Sequence, residues 1–300
     1  MQNKKTISIL VFIIASFSLV ATLTGILSAI RTGSSEYQFE SIHGQKVTIF
    51  GKGLYQHMSS DVAIQGIAQD YVTLFIGIPA LLFALFLVRK GSLKSKFLLA
   101  GILSYFFLTY LFYMNMAMYN ALFLVYVILT GTTFFALLLT ILSIEIDTVS
   151  KFYSKSTPVK FIGGFLIFTA SMIALLWLSI LIPPLIDNTI IPLSVEHYTT
   201  LTVQGFDLAL FHPLIFVAGL LLIKKNKYGY LTAPIALIFL SLLMTALIAK
   251  IIAMAFAKVN VIPAIFIIPL IAAFAITCGI ILLKNIQTIS DNEQHTKTTE

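Results

Sequence analysis

Six residues stand where ionisable or strongly polar groups are costly, inside or at the edge of long apolar runs: Asp70, Thr73, Asn115, Asp207, His212 and Lys250. A charge placed at membrane depth needs a partner or a purpose, and such residues mark substrate, ion or proton sites. Asp207 lies about five residues into the run that starts at Thr202, roughly 8 Å below its end at 1.5 Å per residue. Lys250 lies a similar depth into the following run. A short basic turn joins the two runs, so they are expected to be antiparallel neighbours. The matching depths predict that Asp207 and Lys250 face each other as an ion pair. Such a pair serves either to fix helix register or to hold a substrate or proton, and Lys250 can also snorkel outward. His212 precedes Pro213 near mid-span. It is the one histidine in an apolar run, which excludes a bis-histidine haem site and leaves hydrogen bonding to a neighbouring helix or a proton relay. In the first half of the chain, Asp70, Thr73 and Asn115 fall at places corresponding to Asp207 and Lys250.

The elements that must position these groups are membrane helices. The chain has 300 residues, 59% hydrophobic and only 10% charged, against about a quarter charged in a soluble domain. The apolar runs are long enough for a hydrocarbon core of roughly 30 Å, which takes about 20 helical residues. Short alternating strands of a membrane barrel are absent. The expected fold is an all-α, polytopic transmembrane bundle of eight helices: 7–30, 71–88, 97–117, 121–144, 161–181, 202–223, 231–256 and 261–283. The first run is too long for a signal-peptide core and lacks a small-residue cleavage site, so it is expected to remain as a helix. Pro183-Pro184 is expected to end the fifth helix. The stretch 31–70 is the longest polar connection. Within it Tyr37–Phe50 is rich in strand formers, with His43-Gly44 as a two-residue hairpin turn, and 61–70 reads as an interfacial helical segment.

The positions of the basic residues fix an expected orientation. Fourteen of the nineteen Lys and Arg residues fall on one side of this topology and five on the other, counting Lys250 with the latter. By the positive-inside rule both termini are cytoplasmic and the 31–70 loop is outside. The net charge of +7 is therefore a mark of membrane topology, and nucleic acid is not an expected partner.

Two stretches are alike. Gln69–Lys90 and Gln204–Lys225 each begin with Gln and an acid, carry a proline near the middle (Pro79, Pro213) and stop at a basic pair. The order of features predicts a 4+4 internal repeat: a first four-helix unit over 1–144, a cytoplasmic linker over 145–160, a second unit over 161–283 and a disordered tail over 284–300. Four spans is an even number, so the repeats would be parallel, related by an axis along the membrane normal. Pro79 and Pro213 are expected to kink their helices and free the carbonyls of Phe75 and Ala209. Phe106, Tyr110 and Tyr113 share one face of the third helix, as a surface for packing and lipid contact or, alternatively, a pocket lining. Ala246, Ala249, Ala253 and Ala257 stripe the seventh, where small residues allow close helix approach.

Catalytic signatures are missing. The sequence has no phosphate-binding glycine loop, no HExxH, no GxSxG and no GxGD. A single cysteine, Cys278, forbids an internal disulfide and a CxxC pair; it reads as a small buried apolar residue. No cofactor, metal or catalytic residue is expected, and the chain is read as a non-enzyme. The combination Gln69-Asp70-x2-Thr73-Leu74, Pro79, Arg89-Lys90-Gly91-Ser92, Tyr119-Asn120-x2-Phe123-Leu124, Asp207 and Pro213 resembles uncharacterised multi-pass membrane proteins of bacteria. That resemblance implies a location in the bacterial cytoplasmic membrane and transfers no functional residue. The expected partners are the lipid bilayer and a small solute or ion bound by an outward-facing polar cluster. The alternative is a sensor or assembly role, with a protein partner held by the outer loop through Tyr37 to Tyr55.

Overall fold

The computed structural model describes residues 3–30, 36–116 and 118–287. Arg31, in the expected outer loop, and most of the expected tail lie outside the described residues. Eight helices of 20 to 30 residues are long and apolar enough to cross a membrane: α1 Lys4–Ile30, α2 Ser60–Arg89, α3 Leu93–Met116, α4 Phe123–Leu142, α5 Val159–Ile186, α6 Thr202–Ile223, α7 Lys227–Phe256 and α8 Ala264–Lys284. The chain is thus an all-α polytopic membrane protein. Hydrocarbon offers no partner for backbone N–H and C=O groups, so the spans close their hydrogen bonds internally as helices. Two antiparallel strands, β1 Tyr37–Glu40 and β2 Lys46–Ile49, form a hairpin at one end of the bundle. Lysine-rich turns mark the opposite end.

Helices α3 and α7 form the centre. Each packs on the other, and α7 also packs on the hairpin-end half of α2, on α6 and on α8, while α1 packs on α2 and α4. The central contact depends on Gly101. A Cβ there would lie 2.5 Å from Ile238 Cβ and 3.0 Å from the Ile235 carbonyl, so the bare backbone of α3 is pressed against α7. Gly163 of α5 and Gly219 of α6 meet in the same way, a Cβ on either falling 2.6 Å from the other's carbonyl oxygen. Small residues allow such approach where no hydrophobic force drives helices together. The expected alanine stripe contributes little to it: Ala246 is buried, while Ala257 is exposed.

The first four helices and the last four are not equally closed. Buried residues run along α1 from Ile7 to Ile26. In α5 they stop at Ala170, and in α8 they begin only at Ala272. At the hairpin end, α5 and α8 therefore stand away from the core and present apolar side chains to lipid.

Several expected boundaries change. The interfacial segment and the second helix are one helix, Ser60–Arg89, begun by Ser59, whose side chain accepts from the Val62 N–H. Inside it Thr73–Gly77 forms a wide π turn, and Asp207–Phe211 does the same in α6. The N–H of Ile78 reaches back to the Thr73 carbonyl, and that of His212 to the Asp207 carbonyl. Pro79 and Pro213 follow at once. Their rings would clash with the carbonyl four residues back, and a five-residue turn makes room. Pro183 and Pro184 do not end α5, which continues to Ile186; each removes a backbone donor from the last turn, and only two helical residues follow them. The hairpin loop has three residues, Ile42 to Gly44, between Ser41 and Gln45. Gly44 N–H donates to Ser41 O at 2.9 Å with Gly44 at φ 72°, a conformation that suits glycine and widens the expected two-residue turn.

Both ends are tied. At the hairpin end the Leu54 N–H donates to Ser28 Oγ at 2.9 Å, the Ser59 N–H to Tyr198 Oη at 3.1 Å, and His43 Nε2 lies 2.9 Å from Ile191 O. The connection after α1 and the one after α5 are thus docked on each other. At the basic end Tyr153 packs on Tyr230 with ring centroids 4.8 Å apart, and Lys227 pairs with Asp147.

The tight α3–α7 seam generates a test. Gly101→Ala is expected to cost about 1–3 kcal/mol of stability through overpacking, read as a lower melting temperature in detergent. Gly131→Ala, which meets nothing within 4 Å, is expected to stay within about 0.5 kcal/mol of the parent.

Candidate functional site

Asp70 is buried at the hairpin-end half of α2, and its surroundings are built for a carboxyl group. Tyr55, on the short helical turn after the hairpin, donates its hydroxyl to Asp70 Oδ2 at 2.6 Å. Tyr113 of α3 donates to the Gly66 carbonyl at 2.9 Å and approaches Asp70 Oδ1 at 3.3 Å. On the α1 side the carboxyl lies against Gly25, where a Cβ would fall 2.0 Å from Oδ2. Glycine is needed there because the carboxyl occupies the space of a side chain. Burial pushes the Tyr55 hydroxyl well above its ordinary pKa, which keeps it a donor.

A second cluster lies one turn deeper. The Gln69 amide donates to Tyr105 Oη at 2.7 Å and to Thr109 Oγ1 at 3.3 Å, and Thr73 Oγ1 lies 2.9 Å from the same Tyr105 oxygen. Thr73 opens the π turn, and the network pins that turn to α3. The aromatic face of α3 is therefore interior: Tyr105, Phe106 and Tyr110 are at most 1% exposed, and Tyr113 is partly buried. Lipid contact, part of the expectation for that face, does not occur there.

In α6, Asp207 opens the corresponding π turn. Its carboxylate accepts from the Trp177 indole N–H of α5 at 2.9 Å, and its own carbonyl lies 3.0 Å from His212 Nδ1. His212 is buried beside this turn and serves its backbone. The expected Asp207–Lys250 ion pair is not formed. The one salt bridge among the described residues is Lys227–Asp147. Lys250, half-buried on α7, makes no hydrogen bond among the described residues; it interacts electrostatically with both Asp70 and Asp207. Equal depth was the basis of the expected pair. The rotation of each helix about its axis decides contact, and it turns Asp207 to Trp177.

Above this charged layer a polar pocket of about 370 Å³ opens at the hairpin end. Gln65, Gln204 and Met254 line it, with Asn115, Glu196 and Asp61. Gln65 is one helical turn beyond Gln69, Met254 one turn beyond Lys250, and Gln204 three residues before Asp207. The pocket thus lies over the Asp70, Lys250 and Asp207 layer and is walled by both halves of the chain. Asn115 belongs to its wall, exposed and bonded to its own helix through Leu111 O at 2.7 Å. It does not join Asp70. The six residues singled out from sequence therefore divide into a buried carboxyl, a π-turn network, a second acid with its histidine, a free ammonium and a pocket wall. Among the described residues no group of three or more His, Cys, Asp or Glu side chains could hold a metal ion.

Sequence reasoning missed Trp177 and Gly25, and gave Tyr55 and Tyr113 other roles than the enclosure of Asp70. Tyr55 was assigned to an exposed interface, but it is 1% exposed and bound to Asp70. Trp177 offered a signal, as the chain's single tryptophan in a span adjacent to that of Asp207. Comparisons with protein-family models, with curated proteins and with solved structures find no match. The class is that of a multi-pass helical membrane protein, and its further reading rests on its own residues.

The close approach at Gly25 can be tested by a double-mutant cycle. Gly25→Ala is expected to cost about 1–3 kcal/mol. Asp70→Ala in the same chain should remove part of that cost, giving a coupling of about 0.5–3 kcal/mol in thermal unfolding. Additive losses would show that the two positions do not meet.

Proposed function

We propose that this protein binds a small polar solute in the pocket at its hairpin end and moves it across the membrane, and that it is not an enzyme. The observation that carries the reading is the Lys250 ammonium. Among the described residues it has no ion-pair or hydrogen-bond partner, and it sits in a membrane helix one turn below a pocket lined by amides, hydroxyls and carboxylates. An unpaired cation at that depth costs free energy, and an anionic group on a solute would relieve it. Asp61 and Glu196 at the wall suit an ammonium, so the solute class is a small zwitterion or organic anion.

Three features support movement as well as binding. The π turns at Thr73–Gly77 and Asp207–Phe211 share a 134-residue offset, as do the helix segments that follow them, Ile78–Arg89 and His212–Ile223. Gly101 and Ile235 share that offset too and touch in the central seam. Equivalent helices in contact at equivalent positions are what a two-fold axis along the membrane normal produces, and we read the chain as two parallel repeats. π turns recur at functional sites. The lysine-rich end is assigned to the cytoplasm by the positive-inside rule, which opens the pocket outward. A bacterial cytoplasmic membrane is the location implied by the sequence resemblance.

A second reading is favoured by the hairpin itself, where Tyr37 and Ile42 are 47% and 64% exposed. They offer an apolar tip to a protein partner outside the membrane.

Lys250→Met is expected to fold with stability equal to or above that of the parent, because no pair is broken. A panel of small zwitterions and organic anions, screened by thermal shift, should contain a solute that stabilises the parent and not Lys250→Met. The same solute should enter proteoliposomes through the parent alone. No stabilising solute in the panel, or equal stabilisation of the variant, would sink the pocket reading. Tyr37→Ser with Ile42→Ser separates the second reading: unchanged uptake with loss of a co-purifying partner favours it.

A further inference from the structure

We propose that Asp70 is a proton-binding site, carrying a proton on its carboxyl while the site is closed and releasing it when the charge balance of the layer changes. The first support is the hydrogen-bond geometry. The Tyr113 hydroxyl has one proton, and its shorter contact is to Gly66 O, at 2.9 Å against 3.3 Å to Asp70 Oδ1. With that proton given to Gly66, the Tyr113 oxygen is free to accept. Asp70 Oδ1 then satisfies it only as an O–H donor. Oδ2, meanwhile, accepts from Tyr55 at 2.6 Å. One oxygen donating and one accepting is a pattern that a neutral carboxyl group can make and a carboxylate cannot.

The second support is charge. The groups facing Asp70 are Tyr55 from the hairpin connection, Tyr105, Tyr110 and Tyr113 from α3, Tyr126 from α4 and Lys250 from α7. The face of α1 supplies Gly25, with Ser18 further along, and no ionisable group. The layer therefore holds two carboxyls, Asp70 and Asp207, and one ammonium, with no direct ion pair among them. With the His212 imidazole beside Asp207 neutral, one bound proton makes the layer neutral, the less costly state at membrane depth. A third observation lies on the side of the basic end. Ser18 Oγ and Tyr110 Oη are buried neighbours, and neither hydroxyl has another hydrogen-bond partner among the described residues. Tyr110 packs against Tyr113 with ring centroids 6.0 Å apart, so buried hydroxyls continue inward from the carboxyl.

A proton is favoured over a metal cation because Tyr55 directs an O–H group at the carboxyl, and a cation would need lone pairs there. Resting on the pocket reading, the proton also has a use. A solute anion at Lys250 would withdraw the positive charge from Asp70, so that solute and proton are held together.

Infrared spectroscopy of the full-length protein in lipid tests the site without any solute. The expected result is a protonated-carboxyl C=O band at neutral pH that Asp70→Asn lacks. Tyr55→Phe keeps the carboxyl but removes the donor to Oδ2, and should shift the band to higher frequency; it carries the test if Asp70→Asn does not fold. Spectra that are the same for parent and Asp70→Asn, or unmoved by Tyr55→Phe, would overturn the proposal. So would a band present in choline chloride and lost in sodium chloride, which would assign the site to a sodium ion. Because no solute enters the measurement, a failure of the pocket reading leaves this result standing, and the reverse also holds.

Discussion

The constraint on which this structure depends is the absence of water around its polar groups. Hydrocarbon leaves each charge to be satisfied by whatever another helix brings to it. Asp70 is enclosed by the Tyr55 and Tyr113 hydroxyls and Asp207 accepts from an indole N–H, so each acid is held by neutral partners and neither takes up Lys250. The ammonium remains available as a consequence. A charged layer with its members held apart can respond to a ligand, whereas a closed ion pair would have spent its attraction internally.

Packing divides the bundle into a firm part and a looser one. The α3–α7 seam and the α5–α6 contact depend on glycines that let backbones touch. Around Asp70, helices α1, α2 and α3 are closed, and the hairpin connection seals them from above with Tyr55. Around Asp207 the burial of α5 stops at Ala170, and Trp177 is one of few contacts on the hairpin-end half of that helix. The two acids stand on different helices and in different surroundings.

The spans were legible because so few charges interrupt the apolar runs. Thr202–Ile223 was read from the sequence with the bounds it has in the structure. The positions of the polar groups along each helix were legible as well. What could not be read was their azimuth. Depth is one coordinate, and the partner of Asp207 depends on the rotation of α6 about its axis, which the sequence of α6 alone does not express. Tyr55 was misplaced for a related reason. It lies in a polar connection, and its burial depends on Gly25 and Asp70, residues distant in sequence that leave room for its hydroxyl.

The wide turns explain why the azimuth resists reading. An α-helix advances about 100° per residue, and a π turn accommodates one residue more than an α turn does. The stretch of α2 before Thr73 is therefore out of phase with the stretch after Gly77 by about that angle. Two separate apolar faces exist within one span, and a single helical wheel drawn through Ser60–Arg89 superimposes them wrongly. The same holds for α6. In each of these helices the end that carries the acid and the end that anchors the bundle are aimed independently, and the turn between them acts as a swivel whose setting is one residue.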